Sequence, residues 1–331
     1  MPRKKPRLWR PMLTRRALFK TASALCVSMA NLKRVSAAGP KPNTTVAFDV
    51  PRGACDAHVH VVGERKEFPM SPERDYTPPA ATADDLVEML KFLNIERAVI
   101  VTPTVYGNDN SVTLAAIEKL GRDRARGVAL VDETTSSERL DSMMKGGITG
   151  IRLFLGGGVF RPAAAAKHLQ TAIDLANVRG WHLDISAPPD VVAALAPQLA
   201  ACPVPLVLDY FGWVAGGVRQ PGFETVLSLV KSGRAYVKLA EPYRPSKKAP
   251  EYGDLVPVVR ALLAANPDRL LWGSGWPHVD STPVAGRSNT DLAPNLPVDT
   301  GHLLNLFARW VPNAEIRRTI LVENPARLYG F

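Results

Sequence analysis

The sequence predicts a single (β/α)8 TIM barrel spanning residues 51–331. Three observations carry that prediction. Eight short apolar runs alternate with helix-patterned segments over about 280 residues, the count and size of such a barrel. The second run, Arg97-Ala-Val-Ile-Val-Thr-Pro103, is continuously apolar, as a strand covered on both faces must be. A doubly wound open sheet is the alternative, but no Gly-x-Gly-x-x-Gly follows the first run.

The first run is Cys55-Asp56-Ala57-His58-Val59-His60-Val61, which alternates as a strand does. Alternation sets His58 and His60 on one face. Two imidazoles side by side are costly core filler, because each ring needs a hydrogen-bond partner. They are either two satisfied structural histidines or a catalytic or metal-binding pair at the head of the barrel. A polar loop over 63–79 follows, long for a barrel connection and so placed to cover an active site. Thr82 caps a helix over 84–93, with Asp84 and Asp85 in its first turn. The second strand is 97–103 and its helix 108–120; the third strand is 126–132 and its helix 137–145.

Strand four, 148–155, runs into Gly156-Gly157-Gly158 and a helix over 164–178. Strand five is 181–187, with a helix over 189–200 that Pro189 suits to open. Strand six is 204–212 with a helix at 223–231, and strand seven is 235–241 with a helix at 255–265. Strand eight, 270–274, leads into Gly275-Trp276-Pro277-His278 and a long loop over 280–297. Closing helices are read at 302–311 and 314–321.

The formal charge of +10 sits in the leader. Residues 1–38 hold ten Lys or Arg and no acid, which leaves 31 of the 41 basic residues against 31 acidic ones. The remainder gives no reason to expect a nucleic acid as partner. The leader itself has an arginine pair in Thr14-Arg15-Arg16-Ala17-Leu18-Phe19-Lys20, a modest apolar run, and small residues at Ser36-Ala37-Ala38. That order resembles a twin-arginine signal, read by the export machinery, rather than a disordered basic tail. Its apolar run is too short for a stable membrane span. Cleavage is expected near Ala38–Gly39, with 39–50 a flexible lead-in and the mature protein periplasmic or secreted. Cys26 falls in the leader; Cys55 and Cys202 lie in apolar surroundings and read as buried thiols.

In a barrel the chemistry sits at the carboxyl ends of the strands. Those ends carry His58 and His60, Arg152, Ser186, Asp209 with Tyr210 and Trp213, Lys238 with Glu241, Tyr243 and Arg244, and Trp276 with His278. Arg152, Lys238, Arg244 and also Arg161 suit a carboxylate-bearing substrate, unless each is an ordinary ion pair. Metal ligands are scarce: of six histidines, His168 and His302 fall on helices and His182 opens a strand. A hydrolytic zinc site wants about three protein ligands and an open position. The residues therefore favour no cofactor over a divalent metal such as zinc.

Several blocks together resemble one family. They are Asp56-Ala57-His58-Val59-His60, Gly150-Ile151-Arg152, Leu208-Asp209-Tyr210-Phe211-Gly212, Val237 to Arg244, Leu271 to His278, and Asn324 to Gly330. The chain from about residue 52 to its end resembles the amidohydrolase-related family, in the branch of 2-pyrone-4,6-dicarboxylate lactonases and sugar-lactone hydrolases. The resemblance implies a TIM barrel that opens lactones or related esters, with no required metal in the pyrone branch. It implies that His58 and His60 polarise the lactone carbonyl and that Arg152 and Arg244 hold substrate carboxylates. Three positions depart from the family pattern. Asp-His in strand six is here Asp209-Tyr210. The aspartate of strand eight, which activates water, is here Gly275. A small residue in strand seven is here Glu241. Losing a base costs about two to four orders of magnitude if nothing replaces it. Glu241 restores a carboxylate one strand away, and Tyr210 supplies a donor for the developing oxyanion; the other reading is a base simply lost.

The expectation is an exported lactonase acting on a small carboxylated lactone or ester. His58, His60, Tyr210 and Glu241 are its catalytic candidates, and Arg152, Lys238, Tyr243, Arg244, Trp276 and His278 its substrate-binding ones. A barrel that binds a small acid without turnover, and a divalent-metal hydrolase or decarboxylase, are the alternatives.

Overall fold

The structure, a computed structural model, describes residues 39–156 and 161–331. The signal over 1–38 and the glycines Gly157 and Gly158 lie outside the described residues. Eight parallel strands run in sequence order: β1 Cys55–Val59, β2 Arg97–Val101, β3 Ala125–Ala129, β4 Ile148–Phe154, β5 His182–Ser186, β6 Leu206–Leu208, β7 Ala235–Ala240 and β8 Leu270–Gly273. The ring closes just above β1 and β8, where Gly275 N–H donates to the His58 carbonyl and His60 N–H donates to the Trp276 carbonyl, each at 2.8 Å. This is the predicted TIM barrel.

Burial explains why these runs become strands. Nearly every strand residue is buried, because helices cover the outer face and side chains fill the inner one. Helix Ala83–Phe92 docks Leu86, Met89 and Leu90 on the barrel, and Thr82 and Asp85 form its reciprocal capping box. The lower barrel is filled by Cys55, Ala57, Val99, Val101, Val128, Val207, Tyr236 and Leu271, against which Tyr329 packs from the last helix. Cys55 and Cys202 are buried free thiols. No helix among the described residues is long and apolar enough to cross a membrane.

Four details differ from the pattern reading. β6 is three residues long, because the chain leaves it at Asp209 through a turn in which Tyr210, Phe211, Gly212 and Trp213 all have positive φ. The helix expected over 189–200 divides into Pro189–Ala194 and Ala196–Ala200, where Pro197 has no N–H to continue the first piece. The final helix passes through a π-helical turn, Thr319–Glu323, into Asn324–Tyr329, carrying it past the expected end. The lead-in over 39–50, expected to be flexible, lies against the barrel. Pro40 accepts from the Trp276 indole at 2.8 Å, Thr44 donates twice to Asp299 at 2.7 and 2.9 Å, and Ala47 N–H donates to Asn305 at 2.7 Å.

The two long loops meet over the carboxyl ends of the strands. Ala293 N–H donates to the Thr77 carbonyl at 2.7 Å, and Thr77 Oγ1 donates to the Asn289 carbonyl at 2.6 Å. Each loop satisfies backbone groups of the other, which a solvated excursion of that length would leave to water. They place Tyr76 and Ser281 at the rim of a cavity.

Candidate active site

The cavity at the barrel mouth has a volume of about 250 Å³. His60, Arg152, Tyr210 and Arg244 form its polar wall, Tyr76, Phe154 and Trp213 its aromatic wall, and Thr102, Thr104, Ser186 and Ser281 add hydroxyls. Trp213 is oriented by its indole N–H, which donates to Ser186 Oγ at 2.9 Å.

His60 has a fixed tautomer. Its Nδ1 lies 2.7 Å from the Val101 carbonyl, which only accepts, so Nδ1 carries the proton and Nε2 keeps its lone pair. Burial, with Arg152 nearby, lowers its pKa to about 3, so the ring is neutral. Arg152 Nη2 donates to Tyr210 Oη at 2.6 Å and lies 3.2 Å from Asp209 Oδ2. The tyrosine oxygen therefore accepts from the guanidinium, and its own proton is free to be donated. Burial, despite Arg152 beside it, holds that phenol well above its usual pKa.

Behind this wall lies a buried ionic layer. His58 is fully buried and is not part of the cavity lining. Its Nδ1 faces Lys238 Nζ at 3.2 Å and Asp209 Oδ1 at 3.3 Å; its Nε2 faces Arg152 Nη1 and Glu241 Oε1, both at 3.4 Å. Lys238 is also fully buried and is ion-paired to Asp184, whose pKa burial and neighbouring Asp209 push up. Three carboxylates (Asp184, Asp209, Glu241) thus stand among three cations (Lys238, Arg152, Arg244), which is how buried charge is tolerated.

Glu241 follows β7 directly in a left-handed conformation, φ 50°. Its Oε2 accepts from Arg244 Nε at 2.7 Å, while its Oε1 is buried with no hydrogen bond. Burial raises its pKa, but Arg244, His58 and Arg152 together outweigh that and hold it below the ordinary carboxylate range. Arg244 Nη1 donates to Ser281 Oγ at 2.8 Å, tying strand seven to the long loop after strand eight. Gly275, φ 75°, leaves open the space that Glu241 fills: a Cβ there would lie 2.6 Å from Glu241 Cδ and 2.8 Å from Tyr243 Oη.

Seven of the ten predicted residues converge: His58, His60, Arg152, Tyr210, Lys238, Glu241 and Arg244. Lys238, expected to bind substrate, instead sits beneath the cavity, because its charge is consumed by Asp184 and Asp209. Trp276, expected to bind substrate, donates its indole N–H to Pro40 of the docked lead-in and does not line the cavity. His278 is buried behind Tyr243, with Nε2 2.9 Å from Thr300 Oγ1 and Nδ1 3.3 Å from Tyr243 Oη. None of His278, Tyr243 and Glu241 lines the cavity; Glu241 is buried just behind it, next to His60 and Arg244, which do. Arg161 lies exposed at the start of helix Pro162–Asn177 and does not line it either. Sequence reasoning missed Asp184, although it shares an inward face with Ser186 two residues on, and it missed Tyr76 and Ser281, whose loops have no period to read.

Two sets of donors gather within 4.8 Å of one another: His58, His60 and Glu241, and His58, Asp184 and Asp209. Neither suits a divalent cation as arranged. Lys238 and Arg152 each stand within 3.4 Å of a His58 nitrogen, and Arg244 holds one oxygen of Glu241. A dication in the first set would face Arg152 and Arg244 at close range, and one in the second Lys238 and Arg152.

Comparison with known proteins agrees with this architecture. The amidohydrolase family model matches residues 55–331. The chain is 35% identical to a 4-sulfomuconolactone hydrolase of Rhizobium radiobacter, over 88% of this chain and 95% of that one. It is 32% identical to a 2-pyrone-4,6-dicarboxylate hydrolase of Comamonas testosteroni, over 85% and 92% respectively. The crystal structure of a probable 2-pyrone-4,6-dicarboxylic acid hydrolase of Acinetobacter baumannii, with citric acid bound, superposes with a TM-score of 0.70 at 25% identity, over 84% of this chain and all of that one. A barrel of this order, closed over a histidine pair and matched from its first strand to its last residue, belongs to the amidohydrolase family.

Proposed function

We propose that this protein is an exported hydrolase that opens a small carboxylated lactone or related ester by attack of water, without a resident metal. The observation that carries the reading is Glu241. One oxygen of this buried carboxylate lies within 4.8 Å of a nitrogen of His60, which lines a cavity that also holds Arg152 and Arg244. The names of the relatives point to lactones bearing acid groups.

In this reading Arg244 receives the substrate carboxylate through its free edge. The lactone carbonyl oxygen meets the Tyr210 hydroxyl, whose oxygen is already polarised by Arg152. Water held between Glu241 and His60 attacks the carbonyl carbon while Glu241 takes its proton. The ring C–O bond then breaks, and the proton goes to the leaving oxygen. His60 positions the water through its bare Nε2. His58, one layer back, holds the charges in register rather than touching the carbonyl as the family pattern implies. Metal independence is supported by the cations already seated at both His58 nitrogens. Export is supported by the order of arginine pair, apolar run and small residues in the leader.

A binding-only barrel is the second reading. It is favoured by the clamp of Arg244 on Glu241, which weakens the carboxylate as a base. A pH-indicator assay of the chain from residue 39 on pyrone dicarboxylates, muconolactones and aldonolactones, with and without a chelator, separates these. Acid release that survives the chelator is the expected result. Release abolished by the chelator, with about one metal per chain, overturns metal independence. Silence with ligand-induced thermal stabilisation assigns the barrel to binding alone.

A further inference from the structure

We infer that His58 is a proton relay, joining Glu241 on one ring nitrogen to Asp209 on the other by tautomer exchange. The inference rests on the lactonase reading above and gives the buried layer behind its cavity a task. Four groups surround the ring, two at each nitrogen. Asp209 Oδ1 and Lys238 Nζ face Nδ1; Glu241 Oε1 and Arg152 Nη1 face Nε2. Each nitrogen thus has one acceptor and one donor beside it. Asp209 Oδ1 and Glu241 Oε1 are both buried without a hydrogen bond. A neutral imidazole has one proton, so it satisfies one of them at a time.

The two placements are matched. With the proton on Nδ1, it points to Asp209 and the Nε2 lone pair takes Arg152. With the proton on Nε2, it points to Glu241 and the Nδ1 lone pair takes Lys238. In either placement each ring nitrogen has one matched and one mismatched neighbour, so the two are alike in kind. Burial, helped by Lys238 and Arg152, holds the pKa of His58 well below 6.5, so one proton is the resting count.

The step balances. Water loses a proton to Glu241 as its oxygen bonds to the carbonyl carbon. Protonated Glu241 passes that proton to Nε2 while Nδ1 gives its own to Asp209 Oδ1. Glu241 is again a carboxylate beside Arg244 while the oxyanion exists. When the ring oxygen leaves, the exchange reverses and Glu241 delivers the proton to it. His58 acts through Glu241 and touches no substrate, so it is a positioning and relay residue.

Nitrogen NMR of the chain from residue 39, with labelled histidine and no substrate, tests this between about pH 5 and 8, where an ordinary histidine would titrate. The expected signature is a neutral His58 ring with its one proton on Nδ1, the side that faces Asp209, unchanged over that range. A resting proton on Nε2, which would leave the ring unable to receive one from Glu241, would overturn the relay, as would a doubly protonated ring. One variant sharpens it: Asp209→Asn removes the acceptor beyond the ring and is expected to move the proton to Nε2. Its failure to fold leaves the wild-type spectrum decisive. Turnover on the lactone panel is read separately, so an inactive protein with the proton on Nδ1 would sink the lactonase reading and not the placement of the proton.

Discussion

Glu241 occupies the space that a side chain on Gly275 would take. A Cβ at residue 275 would lie 2.6 Å from the carboxylate carbon of Glu241, closer than any real contact. The two residues lie just past the ends of adjacent strands, β7 and β8, and both have positive φ. Carboxylate and vacancy are therefore one arrangement, and the strand-eight aspartate that the family pattern leads one to expect could not be restored without moving Glu241.

Replacing the carboxylate isolates its chemistry. Glu241→Gln keeps the shape and is expected to lower kcat by about 10² to 10⁴ with little change in KM, the range a lost general base costs. Thermal melting should confirm that the variant folds. Unchanged kcat would remove Glu241 from the mechanism.

Filling the vacancy tests the packing. Gly275→Ala brings a methyl group against Glu241 and Tyr243 and puts a Cβ on a left-handed residue. Overpacking costs about 1–3 kcal/mol, and the left-handed backbone about 1–2 kcal/mol more. Denaturant titration should show a loss in that range, together with a fall in kcat. A stability within error of wild type would mean that Glu241 moves aside at little cost.

Arg244 has two roles that one variant separates. Arg244→Met removes a charged partner for the substrate, expected to raise KM about 10- to 100-fold. It also removes the main cause that offsets burial in holding the Glu241 pKa down. Glu241 must be ionised to act, so activity is lost as pH falls through its pKa. The acid limb of kcat/KM should lie below pH 4.5 in the wild type and move upward in the variant. An acid limb that stays in place would detach Arg244 from the ionisation of Glu241.

Asp56 predicts a stability profile. Its Oδ1 accepts from the N–H groups of Ser274 at 2.9 Å and His58 at 3.2 Å, while burial outweighs these bonds and raises its pKa from 3.8 to about 7. The folded state therefore keeps a proton that the unfolded chain releases above pH 3.8. Its contribution is fully present below that pH and is lost as pH rises towards 7. Asp56→Asn keeps an acceptor and removes the titration, so its midpoint should exceed wild type at pH 8 more than at pH 5. A difference that does not change with pH would sink this account.

The strand runs were legible because covered strands must be apolar, and the alternation of β1 sets His58 and His60 on one face, with ring centroids 5.0 Å apart, although only His60 reaches the cavity. Both long loops were legible as covers, since nothing else in their composition asked for such length. For Lys238 the pattern gives an inward direction, but its depth is set by Asp184 on β5 and Asp209 just after β6. Trp276 is placed by a similarly distant contact, with Pro40, 236 residues away. The turn at Tyr210 to Trp213 was hidden inside an apolar run that also suits a strand.

By itself the sequence determined the barrel and the inward-facing side chains, because a pleated strand reverses direction at every residue and a helix must cover its apolar face. The tertiary structure alone decided which inward groups meet: Lys238 with Asp184, His58 between two cations and two carboxylates, and Glu241 in the space left by Gly275. Those pairings depend on strand stagger and on how deep each side chain reaches, and ring closure fixes both across residues far apart in the chain.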